Sequence, residues 1–376
     1  MRGPSARPVV IAAGGTGGHL FPAEALAAAL IARGDRVALM TDARSAAYAS
    51  PVFANAERFV LKGAGLAGHG VTGAARNALA IAAGTLEARR LLRDLNPAAV
   101  VGFGGYPSVP PILAARLLPA SRRPAIVLHE QNAVLGRANR MMARTADLLA
   151  LCFPDTRRVP AGTRTDVIGN PIRPAIAALH GQGYVPPSGT LRLLVLGGSL
   201  GARIFSDIVP AALAALSPER RARIEVVQQC RQEDLARTRA AYEAAGIRAE
   251  LSAFFKDMHA RYAAAHLVVA RAGASTVAEL SCAGRPSILV PLPHAIDDHQ
   301  SFNARSLADH GAAELIPQPA FTPAALAQAI EKRIDSPENL DEAARAAASL
   351  ARPHAAEALA ASILSLVAEQ PLGKAS

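Results

Sequence analysis

The sequence predicts an α/β protein built from two doubly wound parallel sheets, each covered by helices on both faces. Three observations predict it. Short apolar runs alternate with helical stretches along most of the chain, the pattern of repeated strand–helix–strand units. Several of those runs lead straight into glycine-rich turns, as at 9–12, 98–101 and 193–196. The opening unit, residues 9–30, also recurs in build at 193–216. Two Rossmann-like domains facing across a cleft follow, with ligands expected at the carboxyl ends of their strands.

In chain order, Val9-Val10-Ile11-Ala12 is the first strand, and Gly14-Gly15-Thr16-Gly17-Gly18-His19 the loop that follows it. A helix then carries Leu26 and Leu30 one turn apart and meets a stop at Gly34. Strands are predicted at 36–40 and 58–61, followed by a glycine-rich surface loop over 62–70 and a helix from about 75 to 95. The strand at 98–101 enters a second glycine loop, Gly102-Phe103-Gly104-Gly105-Tyr106-Pro107-Ser108. Next come a strand at 125–128, a polar turn His129-Glu130-Gln131-Asn132, a helix near 136–144 and a strand at 147–151. Prolines and glycines crowd 169–190, which reads as a linker between a domain at 1–168 and another at 191–352.

The second half opens with a strand at 193–196, the loop Gly197-Gly198-Ser199-Leu200-Gly201 and a helix from Ala202. Strands are expected at 224–227, 249–251, 267–270 and 287–290, with helices at 233–245 and 277–283 and another opening near Gln300. Alanine-rich helices fill the rest, the last over about 353–370, which is expected to pack back on the first domain.

A chain of 376 residues is long enough for two cores, and 51% hydrophobic with 19% charged residues describes an ordered globular protein. The net charge of +10 favours an anionic partner. Lys/Arg runs interleaved with aromatics are missing, so a membrane surface or a phosphorylated ligand ranks above nucleic acid. Cys152, Cys230 and Cys282 lie far apart without C-x-x-C spacing, against a disulfide framework or a zinc site and for a reducing, cytoplasmic location. The apolar residues before the first glycines are too few for a signal peptide, and no apolar stretch has a spanning helix's length. Work at a membrane would be done lying on it.

Glycines let a backbone turn sharply and approach a ligand, and the helix after such a loop presents N–H groups and a positive dipole end to a phosphate or oxyanion. A glycine loop is equally a plain tight turn, and the spacing here is neither the dinucleotide nor the P-loop signature. Thr16, Ser108, Asn132, Ser199, Ser275 and Thr276 recur at strand ends, where each alone reads as a helix cap but together they suit a diphosphate held without a metal. Arg173 offers a guanidinium fork to phosphate or is a solvated arginine. Glu279 can accept two ribose hydroxyls or answer the dipole of its own helix. His299 and Gln300 contact a sugar or cap a helix. No Asp-x-Asp, the metal-holding element of one class of sugar-nucleotide transferases, occurs in the chain.

Taken in order, the two glycine loops, His129-Glu130-Gln131-Asn132, Gly169-Asn170-Pro171-Ile172-Arg173, Gly197-Gly198-Ser199-Leu200-Gly201-Ala202 and Arg271-Ala272-Gly273-Ala274-Ser275-Thr276 with Glu279 resemble glycosyltransferase family 28. The likeness runs from about Val9 to the final helix. It is to the bacterial N-acetylglucosaminyltransferases that act on undecaprenyl-pyrophosphoryl-N-acetylmuramyl-pentapeptide. The resemblance implies a GT-B fold, with UDP-N-acetylglucosamine bound mostly by the second domain and the lipid-linked acceptor and membrane on the first. It implies inverting transfer to the acceptor 4-hydroxyl, at the cytoplasmic face of the bacterial inner membrane, with no cofactor. By that likeness Thr16, Gly17, Gly18, Asn132, Arg173, Ser199, the Phe255 backbone, Ala274, Ser275, Thr276, Glu279 and Gln300 contact the donor. His19 activates the acceptor hydroxyl, as suits a side chain type that titrates near neutrality. Gly14, Gly15, Gly104, Gly105, Tyr106 and Ser108 receive the acceptor diphosphate.

Phe255, Ala278 and the pair His299-Gln300 depart from the family's pattern beside the uracil and the sugar. For the membrane, the family suggests an apolar patch with a basic rim, here Leu79, Ile81, Leu86, Leu117 and Leu118 with Arg89, Arg90, Arg116, Arg122 and Arg123; the same leucines also suit a core. Alternatives are a diacylglycerol glycosyltransferase, a UDP-N-acetylglucosamine epimerase, which would need no acceptor, and a nucleotide-sugar-binding protein without turnover.

Overall fold

A computed structural model describes residues 7–15, 17–45, 50–61, 71–198 and 201–369, side chains of 71–75 excepted. Thr16, Ser199 and the loop at 62–70 lie outside the described residues. The chain divides into two compact units: one runs to Arg173 and takes up the chain again from His354, and the other is Pro174–Pro353. Of the stretch expected to link domains, 169–173 therefore go with the first unit and the remainder with the second.

In the first unit, β1 (Val9–Ala12), α1 (Gly17–Ala32), β2 (Val37–Thr41), β3 (Glu57–Val60), α2 (Val71–Leu95), β4 (Ala99–Gly102) and α3 (Val109–Arg116) follow in order. Then come β5 (Ala125–Glu130), α4 (Arg137–Met142), β6 (Leu148–Leu151) and β7 (Thr165–Val167). Its sheet has seven strands, all parallel, in the order β3-β2-β1-β4-β5-β6-β7. The strand order reverses between β1 and β4, and a doubly wound sheet opens its ligand crevice at such a point.

The second unit contains α5 (Pro174–Ala177), β8 (Leu191–Leu196), α6 (Arg203–Ala214), α7 (Pro218–Arg221), β9 (Ile224–Gln229), α8 (Leu235–Ala244) and β10 (Arg248–Ser252). It continues through α9 (Met258–Ala264), β11 (Leu267–Ala270), α10 (Ala274–Ala283), β12 (Ser287–Leu289), α11 (His299–Ala308), β13 (Ala313–Leu315), α12 (Pro323–Ile334) and α13 (Pro337–Ser349). Its six parallel strands run β10-β9-β8-β11-β12-β13, the same winding. The last helix, α14 (Ala355–Glu369), returns to the first unit.

Strand alternation explains the layers. Val9 and Ile11 face a core shared with Leu26 and Leu30 of α1 and Leu359 and Ile363 of α14. Val10, one residue out of phase, faces the opposite core with Leu92 of α2 and Ile112 of α3. In the second unit Leu191, Leu193 and Val195 pack against Phe205 and Val209 of α6 and Leu326 and Ile330 of α12.

The structure corrects four expectations. Strand β5 extends through His129 and Glu130, which are buried ladder residues and not a turn. The short elements β7, α5 and α9 arise where loop or linker was expected, and strand β13 arises where helix was expected. Helix α10 begins at Ala274, so Ser275 and Thr276 are in its first turn. Leu118 is 2% exposed and belongs to the core under α3.

Candidate active site

The first unit gathers its glycine loops at the carboxyl ends of β1 and β4. Gly14 has no room for a side chain: a Cβ there would lie 2.9 Å from Pro107 Cβ and 3.0 Å from Asp42 Oδ1. The Gly15 N–H donates to Ser45 Oγ at 2.7 Å, so this donor of the loop serves its own scaffold. Asp42 anchors that scaffold by accepting from the Ser45 N–H at 3.0 Å and from Arg44 Nε at 3.1 Å. Burial, the largest single influence on the Asp42 carboxyl, raises its pKa, but the hydrogen bonds from Ser45 and Arg44 together outweigh it and bring the pKa below the usual range.

Gly104 and Gly105 turn through φ of +80° and +68°, the left-handed region that favours glycine. A Cβ on Gly105 would stand 3.5 Å from His19 Nε2, and one on Gly104 3.6 Å from His19 Cε1. The turn therefore leaves open the space beside the imidazole edge. Ser108 is fully buried and its hydroxyl donates back to Gly105 O at 2.9 Å, a bond within the turn and not a side-chain cap of α3, while Tyr106 is exposed. Gly17 and Gly18 open α1, and Arg173 lays its guanidinium 5.4 Å above the ring of Phe21 in that helix. The arginine is thus stacked on the helix that carries His19.

The end of β5 is organised by Glu130. Its Oε1 accepts from the Asn132 N–H and Nδ2 at 3.0 and 3.1 Å, and its Oε2 from the Gly136 N–H and Asn139 Nδ2, both at 2.9 Å. A buried carboxylate with that many donors fixes the path of 130–139. On the other side of the strand, His19 Nδ1 meets Gln131 Oε1 at 3.1 Å, Gln131 Nε2 meets His129 Nδ1 at 2.9 Å, and His129 Nε2 meets Gly169 O at 2.9 Å. His129 is fully buried; that burial, aided by the charge of His19 and opposed by the bond to Gly169, brings its pKa down to about 4. Neither Gln131 nor His129 was assigned a role from sequence. Only their membership of the His129-Glu130-Gln131-Asn132 motif marked them.

In the second unit the corresponding loop follows β8. A Cβ on Gly197 would fall 2.2 Å from the Ala202 nitrogen, so only glycine fits. After β11, α10 starts with Gly273 at its N-cap and no side-chain cap. Ala274, Ser275 and Thr276 form the first turn, where outward N–H groups and the dipole favour an anion. Glu279, 7% exposed, accepts from the Tyr262 hydroxyl at 3.1 Å. Phe255 is buried with the Arg261 guanidinium 4.9 Å above its ring. Gln300 Oε1 accepts from the Leu292 N–H at 3.0 Å, and His299 Nδ1 pairs with Ile296 O at 2.8 Å. The site residues thus fall into two groups, one at each sheet's strand ends. Among the described residues no group of three His, Cys, Asp or Glu side chains is placed to hold a metal ion.

Of the apolar patch, Leu79, Leu86 and Leu117 are 72%, 60% and 57% exposed on α2 and the end of α3, which pack together. Ile81 is partly buried against the core, as Leu118 is fully. Arg90, Arg116 and Arg122 are exposed beside them in sequence, and Arg89 and Arg123 half-buried. Among the described residues no helix is long and apolar enough to cross a membrane.

The model of the glycosyltransferase family 28 N-terminal domain matches residues 9–150, and that of the C-terminal domain residues 192–359. A UDP-N-acetylglucosamine–N-acetylmuramyl-(pentapeptide) pyrophosphoryl-undecaprenol N-acetylglucosamine transferase of Granulibacter bethesdensis is 57% identical, over 94% of this chain and 92% of its own length. The enzyme of the same description from Acidiphilium cryptum is 54% identical over 98% of this chain and 100% of its own. The crystal structure of Acinetobacter baumannii MurG matches with a TM-score of 0.76 at 32% identity, covering 96% of this chain and 99% of that one.

Proposed function

The chain belongs to glycosyltransferase family 28, and from that membership we propose that it transfers N-acetylglucosamine from UDP-N-acetylglucosamine to undecaprenyl-pyrophosphoryl-N-acetylmuramyl-pentapeptide in peptidoglycan synthesis. Identity of 57% over an alignment that takes in 94% of the chain carries this reading. The transfer is inverting. The acceptor 4-hydroxyl oxygen bonds to the anomeric carbon from the face opposite the leaving group, and the bond from that carbon to the UDP β-phosphate oxygen breaks. The hydroxyl proton passes to His19, and UDP leaves with the electron pair.

The division of labour follows the two groups of residues. The first turn of α10, with Ala274, Ser275 and Thr276, takes the donor diphosphate, where negative charge grows as the bond breaks. Glu279 accepts the ribose hydroxyls, the Phe255 backbone meets the uracil, and Gln300 meets the sugar. Thr16, Gly17, Gly18, Asn132, Arg173 and Ser199 keep their expected role as donor contacts. The acceptor diphosphate goes to the turns at Gly14-Gly15 and Gly104-Gly105, with Tyr106 and Ser108. The exposed Leu79, Leu86 and Leu117, with the arginines near them, support attachment to an anionic membrane surface at the cytoplasmic face.

The direct test is transfer of radiolabelled N-acetylglucosamine from its UDP conjugate to a short-chain lipid-linked N-acetylmuramyl-pentapeptide, with EDTA and a no-acceptor control. Acceptor-dependent product that survives EDTA is expected. Conversion of the nucleotide sugar without acceptor, or donor binding with no transfer, would overturn the assignment.

A further inference from the structure

A carbonyl oxygen can only accept a hydrogen bond, and two carbonyls settle where the protons lie in the buried chain that ends at His19. Gly169 O accepts at 2.9 Å, so His129 Nε2 carries a proton. Burial keeps His129 neutral, with its pKa brought down to about 4, so its Nδ1 is a lone pair. Gln131 Nε2 lies 2.9 Å from that lone pair and 3.1 Å from the His129 carbonyl oxygen. Both neighbours accept, so the amide's NH₂ must face them, and a flipped amide would set its oxygen against two acceptors. Gln131 Oε1 is left pointing at His19 Nδ1, 3.1 Å away, and can only accept from it. Each bond thereby dictates the next, from the Gly169 carbonyl to the imidazole at the start of α1.

We propose that Gln131 and His129 are positioning residues for the transfer: they hold His19 as the tautomer with its proton on Nδ1 and leave Nε2 bare beside the Gly104-Gly105 turn. This rests on the reading of His19 as the group that takes the acceptor proton. An imidazole side chain in water prefers the opposite tautomer, with its proton on Nε2, which would offer a donor where the reaction needs an acceptor. A Cβ on Gly105 would stand 3.5 Å from Nε2, so the open space of the turn adjoins the nitrogen that the chain of bonds exposes. When Nε2 takes the proton, the imidazolium keeps its Nδ1–H bond to Gln131, so the ring need not turn during the reaction. The buried members do not themselves exchange protons with substrate. They set orientation and tautomer.

The test is nitrogen-15 NMR of ring-labelled protein well above neutral pH, with His19 assigned by its loss in His19→Ala. The expected spectrum has His19 protonated at Nδ1 in the unsubstituted enzyme and shifted towards Nε2 in Gln131→Leu. Turnover in Gln131→Leu is expected to fall about 10-fold or more, with KM for the UDP-sugar unchanged. His19→Ala should lose more, about 10²- to 10⁴-fold. An Nε2-protonated His19 in the unsubstituted enzyme would overturn the proposal even if Gln131→Leu does not fold. So would Gln131→Leu with full turnover while His19→Ala is crippled. Full turnover in His19→Ala would instead remove the proton-accepting role on which the proposal stands, whatever the tautomer.

Discussion

Gly105 and His129 show how single side chains, or the lack of one, shape the first unit's site. At φ of +68°, Gly105→Ala strains the turn, and it sets a methyl 3.5 Å from His19 Nε2, in the space beside the imidazole edge. The left-handed conformation alone costs about 1–2 kcal/mol. The expected outcome is a folded protein, by circular dichroism, that loses turnover more than UDP affinity. His129 makes a pH prediction. Its pKa is about 4 when buried, against the ordinary 6.5 of an unfolded chain. Between those values the unfolded state binds a proton that the folded state refuses, so the contribution to stability is intact above 6.5 and lost as pH falls towards about 4. The full difference is roughly 3 kcal/mol. Urea midpoints should therefore fall from pH 7.5 to about 5, and less steeply in His129→Gln.

At the scale of elements, α10 and the pair α2 and α3 carry separate expectations. Glu279 sits in the second turn of α10, buried and bonded to the Tyr262 hydroxyl. Glu279→Ala should weaken UDP binding by about 10- to 100-fold, the worth of a hydrogen bond to a charged group; an unchanged dissociation constant in calorimetry would remove it from the ribose site. Leu79, Leu86 and Leu117 stand exposed on α2 and at the end of α3. Replacing all three with serine should reduce partitioning onto anionic vesicles by about 10-fold or more while transfer to a short-chain acceptor persists.

The elements also show what the sequence makes legible. Strands such as β1 and β11 are buried on both faces, so hydrophobic runs announce them. Edge strands β7 and β13 have three residues each, none fully buried, and carry no such run. His129 and Glu130 read as a turn because they are polar; in the ladder their burial is balanced by hydrogen bonds, which leave no periodic trace. The glycine loops were readable because left-handed turns require glycine. The bond from Gln131 to His19 joins positions 112 apart, and no local pattern encodes it.

For the whole molecule, the route of the chain matters most. Leu359, Ala360, Ile363 and Leu366 of α14 complete the core that Val9 and Ile11 begin. Leu359→Ala should destabilise the first unit by about 2–5 kcal/mol and leave the second unit's unfolding unchanged. Amide exchange followed by mass spectrometry separates the two: faster exchange in β1 and α1 is expected, with β8 and β11 unaltered.

That closing helix sets a timetable for the newborn chain. Domains usually finish in the order in which the ribosome makes them. Here residues 174–353 are continuous and can settle as soon as they emerge, whereas the unit that starts the chain still lacks α14. Until the last codons for that helix are read, the sheet face bearing Val9 and Ile11 stays without part of its cover. The portion translated first is the portion completed last, and a stalled ribosome would hold out an apolar surface to every chaperone and protease nearby.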